Sequence, residues 1–413
     1  MSDEEAPARK IVRLARAKQP EVLKKTIGLL IIQPTPFCNI DCDYCYLPDR
    51  DSNRRMPPGV LQQTLNNVSA AGLVGDRLSI VWHAGEPLAL PISYYEEAFQ
   101  AIEDLQLSRT TITHSFQSNG TLINDEWCRF MSRHDIGLGL SIDGPAFIHD
   151  AHRKTRRGSG THQKVMRGVD ALRKHGIDFH VIAVITAQSL DFPDEIFEFY
   201  LKNGISRVGF NIEEIEGVNQ SSTLKSDSMN EKLRRFFLRL YHLQNASRGA
   251  VKIREFDRAF NAIAQASGGP GRENDRHNDQ ATPFEIISVD CAGNFSTFSP
   301  ELLGVKSADY GDFCFGNVMT DNFQEAAKGD KFGRVLQDIN SGLELCAKTC
   351  EYYFLCGGGA PSNKYFENGT FVSTETMYCN YTIKTPIDIV LADLEKSLTA
   401  APPEEPQPSA IVG

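Results

Sequence analysis

Three cysteines, Cys38, Cys42 and Cys45, fall within the eight residues CNIDCDYC, directly downstream of the apolar run GLLIIQ. Thiolates at C-x-x-x-C-x-x-C spacing read as a metal site. Structural zinc requires four ligands in a closed tetrahedron, whereas an iron–sulfur cube held by three cysteines keeps one iron open to an outside ligand. The next cysteine is Cys128, and no histidine stands near the trio. A second group, Cys346, Cys350 and Cys356 in CAKTCEYYFLCGGGAP, is joined further on by Cys379. Four cysteines satisfy a fully ligated cube, and the triple glycine lets backbone fold tightly around it; zinc on four thiolates fits the same spacing. Cys128 reads as buried packing beside Trp127. Cys291 and Cys314 flank a hairpin-like segment and are candidates for a further ligand pair or a substrate contact.

The rest of the chain must position these groups. At 413 residues it is long enough for two or three domains, and its 41% hydrophobic and 23% charged content is that of a globular protein. The net charge of −10 argues against bulk nucleic-acid binding. No apolar run approaches the roughly 20 residues of a membrane span, and MSDEEAPARK lacks the apolar core of a secretory signal. The expectation is therefore a cytoplasmic protein with no membrane partner. Cysteines clustered in short-spaced groups, without an export signal, favour metal ligation in a reducing compartment over disulfides.

Strand-like runs at 28–33, 78–83, 111–117, 137–142, 178–185 and 206–212 alternate with helical stretches at 57–72, 92–105, 124–134, 161–175 and 192–202. Such alternation predicts α/β architecture with a parallel sheet, either doubly wound or a partial barrel. In both, ligands gather at the carboxyl ends of the strands. Helices are predicted over 229–246, 254–266 and 376–398, and a weak one over 11–23. A linker at 267–280 and a proline-rich tail at 401–413 break all periodicity. FEIISVDCAGNFSTFSP reads as a hairpin turning at Ala292-Gly293-Asn294.

The cysteine trio, with Tyr44 before its last member, resembles the radical S-adenosylmethionine (SAM) enzymes, in which SAM chelates the open iron. The resemblance extends along the strand ends over residues 27–212. Gly85, Glu86 and Pro87 are similar to the family's Gly-Glu-Pro motif, the edge that receives the SAM amino group. Gln117-Ser118-Asn119-Gly120-Thr121 is similar to the loop whose small polar residue contacts SAM. Ser141 and Asp143 lie in Ser-Ile-Asp-Gly-Pro, where the resemblance places Ser141 near the ribose and makes Arg153 a partner of the SAM carboxylate. His149 and Asp150 read as loop-fixing residues, and RKTRR (153–157) as a solvated loop. The implied fold is a partial (β/α)6 TIM-like barrel.

The second cysteine group resembles the SPASM extension of radical SAM peptide maturases, which carries auxiliary iron–sulfur clusters. That family places a cysteine after the hairpin glycine with four residues between them, and another after the triple glycine. Here those positions hold Phe298 and Ala360, both belonging to the first auxiliary cluster. The resemblance thus implies SAM, one SAM-binding 4Fe-4S cluster on Cys38, Cys42 and Cys45, and one auxiliary 4Fe-4S cluster on Cys346, Cys350, Cys356 and Cys379, with the first auxiliary cluster missing. The implied organisation is an extension (1–26), a radical SAM barrel (27–215), bridging helices and linker (216–284), a SPASM domain (285–385) and a terminal helix with tail (386–413).

QPTPFCNIDCDYCYLP, WHAGEPLA, FNIEEIEG, NFSTFSPELLG, DYGDFCFGNV and TETMYC look most like the maturases of glycine-rich-repeat precursors, related to cyclophane-forming enzymes. The implied substrate is a ribosomally made peptide and the implied reductant a one-electron carrier of flavodoxin or ferredoxin type. A β-hydrogen would be removed, and the carbon radical would attack an aromatic ring two positions away. The ring adduct must then lose an electron and a proton. Glu213, Glu214, Glu216 and Glu301 are the candidate proton acceptors. Sulfatase-maturase-like oxidation of Ser or Cys to formylglycine is the second reading, and a non-catalytic metal-bound peptide scaffold the third.

Overall fold

The computed structural model describes residue 23 and residues 26–105, 109–266 and 277–399. The helix expected at 11–23, most of the 267–280 linker and the 401–413 tail lie outside the described residues.

Six strands, β1 (Leu29–Ile32), β3 (Arg77–Trp82), β4 (Thr111–Ser118), β5 (Gly137–Ser141), β7 (His180–Ile185) and β8 (Arg207–Ile212), lie side by side in chain order. Every pairing among them is parallel. A doubly wound sheet reverses its strand order partway across, so the unbroken order selects the barrel-like alternative. Helices α1 (Pro58–Ala70), α2 (Ile92–Glu103), α3 (Asp125–Arg133), α4 (Ala146–His152), α5 (His162–Lys174) and α6 (Pro193–Lys202) form the return connections. Their apolar faces meet the sheet in one core: Trp82, Tyr95, Phe116, Trp127 and Phe130 pack edge to face or tilted. Cys128 is fully buried in α3 and belongs to that packing.

Both edges of the sheet are extended by later segments. After α7 (Asp227–Ala246), β9 (Lys252–Ile253) pairs with β8, and α8 (Arg254–Ala266) follows. On the other side β10 (Ile286–Val289) pairs in parallel with β1, Leu29 opposite Ile286. The expected hairpin of β10 and β11 (Asn294–Thr297) therefore joins the barrel sheet itself, with β12 (Gly316–Asn317) beyond it. The boundary placed at 284/285 does not coincide with a break in the sheet, because its strand edge is used to cover β1. Helices α9 (Asp330–Thr349), α10 (Pro361–Asn368) and α11 (Thr385–Thr399) complete the described chain, α11 preceded by a π-helical stretch at Cys379–Lys384. No helix among the described residues is long and apolar enough to cross a membrane.

A small second sheet departs from expectation. β2 (Ile40–Cys42) pairs antiparallel with β6 (Arg153–Thr155), Cys42 opposite Arg153. Residues 153–155 are thus a strand against the cysteine segment rather than solvated loop. Arg156 continues the attachment: its Nε donates to the Cys38 carbonyl at 2.8 Å, and its guanidinium also reaches Asp51 and the Arg50 carbonyl.

Candidate functional site

The cysteine segment is held at the carboxyl ends of the strands by two close backbone approaches. Gly85 has φ +56°, and a Cβ there would sit 2.5 Å from the carbonyl oxygens of Thr35 and Phe37. Gly217, at φ +53°, would place a Cβ 2.3 Å from the Tyr46 carbonyl. Glycine alone permits both, and each clamps one end of the stretch that carries Cys38, Cys42 and Cys45.

Glu86 is buried and serves as a clip. Its carboxylate accepts from Leu88 N at 3.0 Å, Ser118 Oγ at 2.8 Å and Asn119 N at 2.8 Å. It joins the Gly-Glu-Pro turn to the loop after β4 and does not line the cleft, where Ala84, Gly85, Ser118 and Asn119 do. Burial raises the Glu86 carboxyl to about 7 against the pull of its donors. The expectation that a carboxylate here would face an ammonium therefore changes: the edge available to a ligand at this turn is backbone. Pro87 is buried at the start of the following helical turn.

Asp143 and Arg153 form a second fixed element. Arg153 Nε and Nη2 donate to the two Asp143 oxygens at 2.8 and 3.0 Å, Tyr44 Oη donates at 2.5 Å and Val184 N at 2.9 Å. Both side chains are at most 8% exposed. The guanidinium fork expected for a ligand carboxylate is committed to Asp143, and what remains is Nη1, 3.9 Å from Cys42 Sγ. Burial works against the Asp143 charge, yet Arg153 outweighs it and holds the carboxyl below the usual range. His149, fully buried, accepts from Asp143 N through Nδ1 at 3.3 Å and reaches Thr161 Oγ1 through Nε2 at 3.0 Å. Asp150 accepts from His162 N at 2.8 Å, so both residues fix the loop.

These elements wall a cleft of about 410 Å³. The three cysteines, Gly85, Ser118, Asn119, Ser141 and Arg153 all line it, whereas Glu86, Pro87 and Asp143, also expected at the SAM site, do not. Ser141 accepts from Gln117 Nε2 at 3.3 Å. Asn119 Nδ2 lies 3.8 Å from Cys38 Sγ and 2.8 Å from Asn39 Oδ1. Burial pushes the thiols of Cys38 and Cys42 up to about 11 and about 12, so ionised sulfur there requires a cationic centre, and a coordinated thiol loses its proton outright.

Acidic groups line the same cleft. Glu214, Glu216 and Glu301 face it together with Tyr46. Asn363 Nδ2, from α10, donates to Glu214 at 2.7 Å and Glu216 at 3.3 Å. Burial, with repulsion from Glu301, outweighs the lowering effect of the donor Asn363 and leaves Glu214 raised to about 8. Burial first, then the charges of Glu214 and Glu301, hold Glu216 well above the carboxylate range, and burial raises Glu301. Glu213 lines the cleft as well, and its Oε2 accepts from Thr223 N at 2.6 Å and from the Thr223 hydroxyl, anchoring the 222–223 loop. A neutral imidazole, His83, also lines the cleft, its protonation depressed to about 4 by burial.

The second cysteine group lines its own cavity of about 230 Å³, with Cys346, Cys350, Cys356, Cys379, Gly358 and Gly359 on its wall. Among the described residues no three His, Cys, Asp or Glu converge tightly enough to hold a single ion. The sulfurs surround a space instead, and N–H donors point at them: Gly358 N at 3.4 Å from Cys356 Sγ, and Lys364 Nζ at 3.2 Å from Cys346 Sγ. Thiolates around a cavity, met by such donors, suit a multi-iron group. Phe298 and Ala360 are not ligand-like: Phe298 is fully buried and stacked on Phe332, and Ala360 caps α10. Cys291 lines a side branch of the main cleft; Cys314 is half-buried and apart from that branch.

Sequence reasoning missed His83, Tyr46, Ser362, Asn363 and Lys364. Tyr46 stands next to the cysteine motif and was open to notice; the α10 trio carries no local signal.

Comparison with known proteins agrees with this geometry. Residues 32–200 match the radical SAM superfamily. A protein of Synechocystis sp. of uncharacterised role is 45% identical over 380 residues, covering 91% of this chain and 94% of that protein. The serine-type anaerobic sulfatase-maturating enzyme of Klebsiella aerogenes is 37% identical over 166 residues, 40% of this chain and 39% of the enzyme. Among solved structures, anSMEcpe with bound AdoMet and the Cp18Cys peptide shares the fold at TM-score 0.71 and 22% identity, over 89% of this chain and 98% of that one. Streptococcus suis SuiB bound to precursor peptide SuiA does so at TM-score 0.61 and 16% identity, over 92% and 82%. Residues 32–200 of the chain carry a radical SAM domain.

Proposed function

We propose that this chain is a peptide maturase that removes a side-chain β-hydrogen from a ribosomally synthesised precursor and joins that carbon to an aromatic residue, closing a three-residue cyclophane. The observation that carries the reading is the acidic wall of the cleft that Cys38, Cys42 and Cys45 also line. There Glu214, Glu216 and Glu301 can take a proton, and one turn of α10 connects them to the four-cysteine cavity. An aromatic ring attacked by a carbon radical must shed one electron and one proton before it is aromatic again. Two adjoining sites, one protonic and one thiolate-lined, match that demand.

The family implies SAM and a 4Fe-4S cluster, which Cys38, Cys42 and Cys45 would hold; together they supply a 5'-deoxyadenosyl radical. Cys346, Cys350, Cys356 and Cys379 would hold an auxiliary cube able to accept one electron. Backbone at Gly85, with Ser118, Asn119 and Ser141, borders the space for SAM. The Glu86 clip and the Asp143–Arg153 pair keep those edges in place, and Arg153 Nη1 remains as the free end of its fork. The ring proton passes to a member of the Glu213, Glu214, Glu216 and Glu301 set that is ionised when the adduct forms, since a carboxyl raised above the working pH already holds its own proton. A peptide substrate is supported by the shared fold with two structures that hold peptides. The reductant on this reading is a flavodoxin- or ferredoxin-type carrier, and the setting cytoplasmic.

The match to a serine-type sulfatase maturase favours one competing reading, oxidation of Ser or Cys to formylglycine. Phe298 and Ala360 at two ligand positions of the first auxiliary cluster weigh against it. Tandem mass spectrometry of the precursor after anaerobic co-expression separates the two, although a cross-link and a serine-derived formylglycine both remove two hydrogens. The cyclophane reading expects backbone fragment ions to vanish across a three-residue stretch bounded by an aromatic residue, with no reaction toward aldehyde reagents. Unhindered fragmentation and an aldehyde at Ser or Cys would overturn it.

A further inference from the structure

Lys364 lies in the first turn of α10, is 3% exposed, and makes two contacts through Nζ: the Gly342 carbonyl at 3.0 Å and Cys346 Sγ at 3.2 Å. Gly342 stands one turn before Cys346 on α9; a Cβ there would sit 2.1 Å from the Phe371 carbonyl oxygen and 3.4 Å from Nζ, so the missing side chain lets the Phe371 backbone close over α9 beside the ammonium. No carboxylate pairs with Lys364 among the described residues. A buried ammonium needs a compensating anion. Cys346 is the nearest source of one, and a cube on four thiolates carries net negative charge.

We propose that Lys364 sets the reduction potential of the centre on Cys346, Cys350, Cys356 and Cys379, making it an electron acceptor for the substrate. Hydrogen bonds to ligating sulfur and nearby charge are two of the levers that move an iron–sulfur potential. When one electron enters, the centre becomes one unit more negative while the ammonium is unchanged, so Lys364 favours the reduced form and raises the potential. The electron comes from the ring adduct, whose proton passes to the Glu214, Glu216 and Glu301 group. Asn363 reaches those carboxylates and Lys364 reaches Cys346, so a single helical turn holds the exits for proton and electron side by side. Lys364 acts through Cys346 and touches no substrate.

This inference rests on the auxiliary-cluster reading, and the test separates the two. Lys364→Met removes charge and donor; Lys364→Gln removes charge and keeps a donor. Anaerobic redox titration with EPR detection of wild-type and variant protein reads both centres, the one on Cys38, Cys42 and Cys45 being the internal control. The expected result is an auxiliary potential lowered in Lys364→Met by a tenfold change in the one-electron equilibrium, about 59 mV. Lys364→Gln should fall between, and the control should not move. An unmoved auxiliary potential with full iron content overturns the inference. So does loss of auxiliary iron from both variants, which would assign Lys364 to assembly. Iron and sulfide for a single cube in the wild type, unchanged by Cys379→Ala, would instead overturn the auxiliary-cluster reading.

Discussion

At the residue scale the decisive feature is a set of carboxylates gathered where each discourages its neighbour's charge. Glu216 is 4% exposed and faces Glu214 and Glu301, with Tyr46, Ser362 and Asn363 around it and Glu367 at longer range. Arg254 helps Glu214 ionise, whereas the charges that act most strongly on Glu216 are all carboxylates. A carboxyl raised on folding keeps its proton in the native state while the unfolded chain loses it. Its contribution to stability is present below the ordinary value of 4.5 and fades as pH climbs through the native value, about 8 for Glu214. Melting temperature should therefore fall between pH 5 and pH 8 in the wild type, and Glu216→Gln should flatten that fall. Anaerobic thermal melts of both proteins at matched iron content check this; parallel curves would refute it. Little of the cluster is legible in the sequence. FNIEEIEG marks acidic residues at a strand end, but Asn363 meets Glu216 across 147 positions, and PSNKYF reads as an ordinary helix start. The metal cysteines are legible because three or four rare residues at short spacing carry their own signal.

At the element scale, periodicity is a local property, and the six barrel strands and the five helices expected between them appear within about three residues of where the pattern places them, while α4, a helix of two turns, has no such signal. What pattern could not supply was the docking of one loop on another, since that depends on which backbone atoms approach. Gly85 makes the case testable. Gly85→Ala forces an L-residue into the left-handed region, which costs about 1–2 kcal/mol, and also drives a methyl into the Thr35 and Phe37 carbonyls. Gly72, at φ +69°, has nothing within 4 Å of the position a methyl would take, and so isolates the conformational cost. Gly85→Ala should lose both stability and iron at Cys38, Cys42 and Cys45, whereas Gly72→Ala should lose only about 1–2 kcal/mol of stability. Equal iron content in the two variants would show that the close approach does not position the cysteine segment.

At the scale of the whole molecule, the sequence divides where the structure does not. The barrel's first strand is flanked by β3 on one side and by β10 on the other, from residues 286–289. Asn67 of α1 donates to the carbonyls of Val318 and Asp321 at 3.0 Å each, and Tyr381 donates to the Leu224 carbonyl at 3.2 Å. Ser362 N donates to Ser299 Oγ, tying α10 to the segment after the hairpin. Separating the two halves would strip β1 of a hydrogen-bonded neighbour and leave a parallel edge open, an arrangement folded proteins cover. Parallel strands are also stabilised chiefly by burial on both faces, so neither half keeps a complete core alone. The expected outcome is one cooperative unfolding transition in calorimetry of the full chain, with the amides of β1 and β10 equally protected from hydrogen exchange and opening together. Two resolved transitions, with β10 amides released well before those of β1, would mean that the shared sheet does not couple them. The coupling bears on the proposed function: the two cysteine groups are held at a separation set by one continuous sheet and by α10, so the proposed acceptors of an electron and a proton from the substrate would not drift apart.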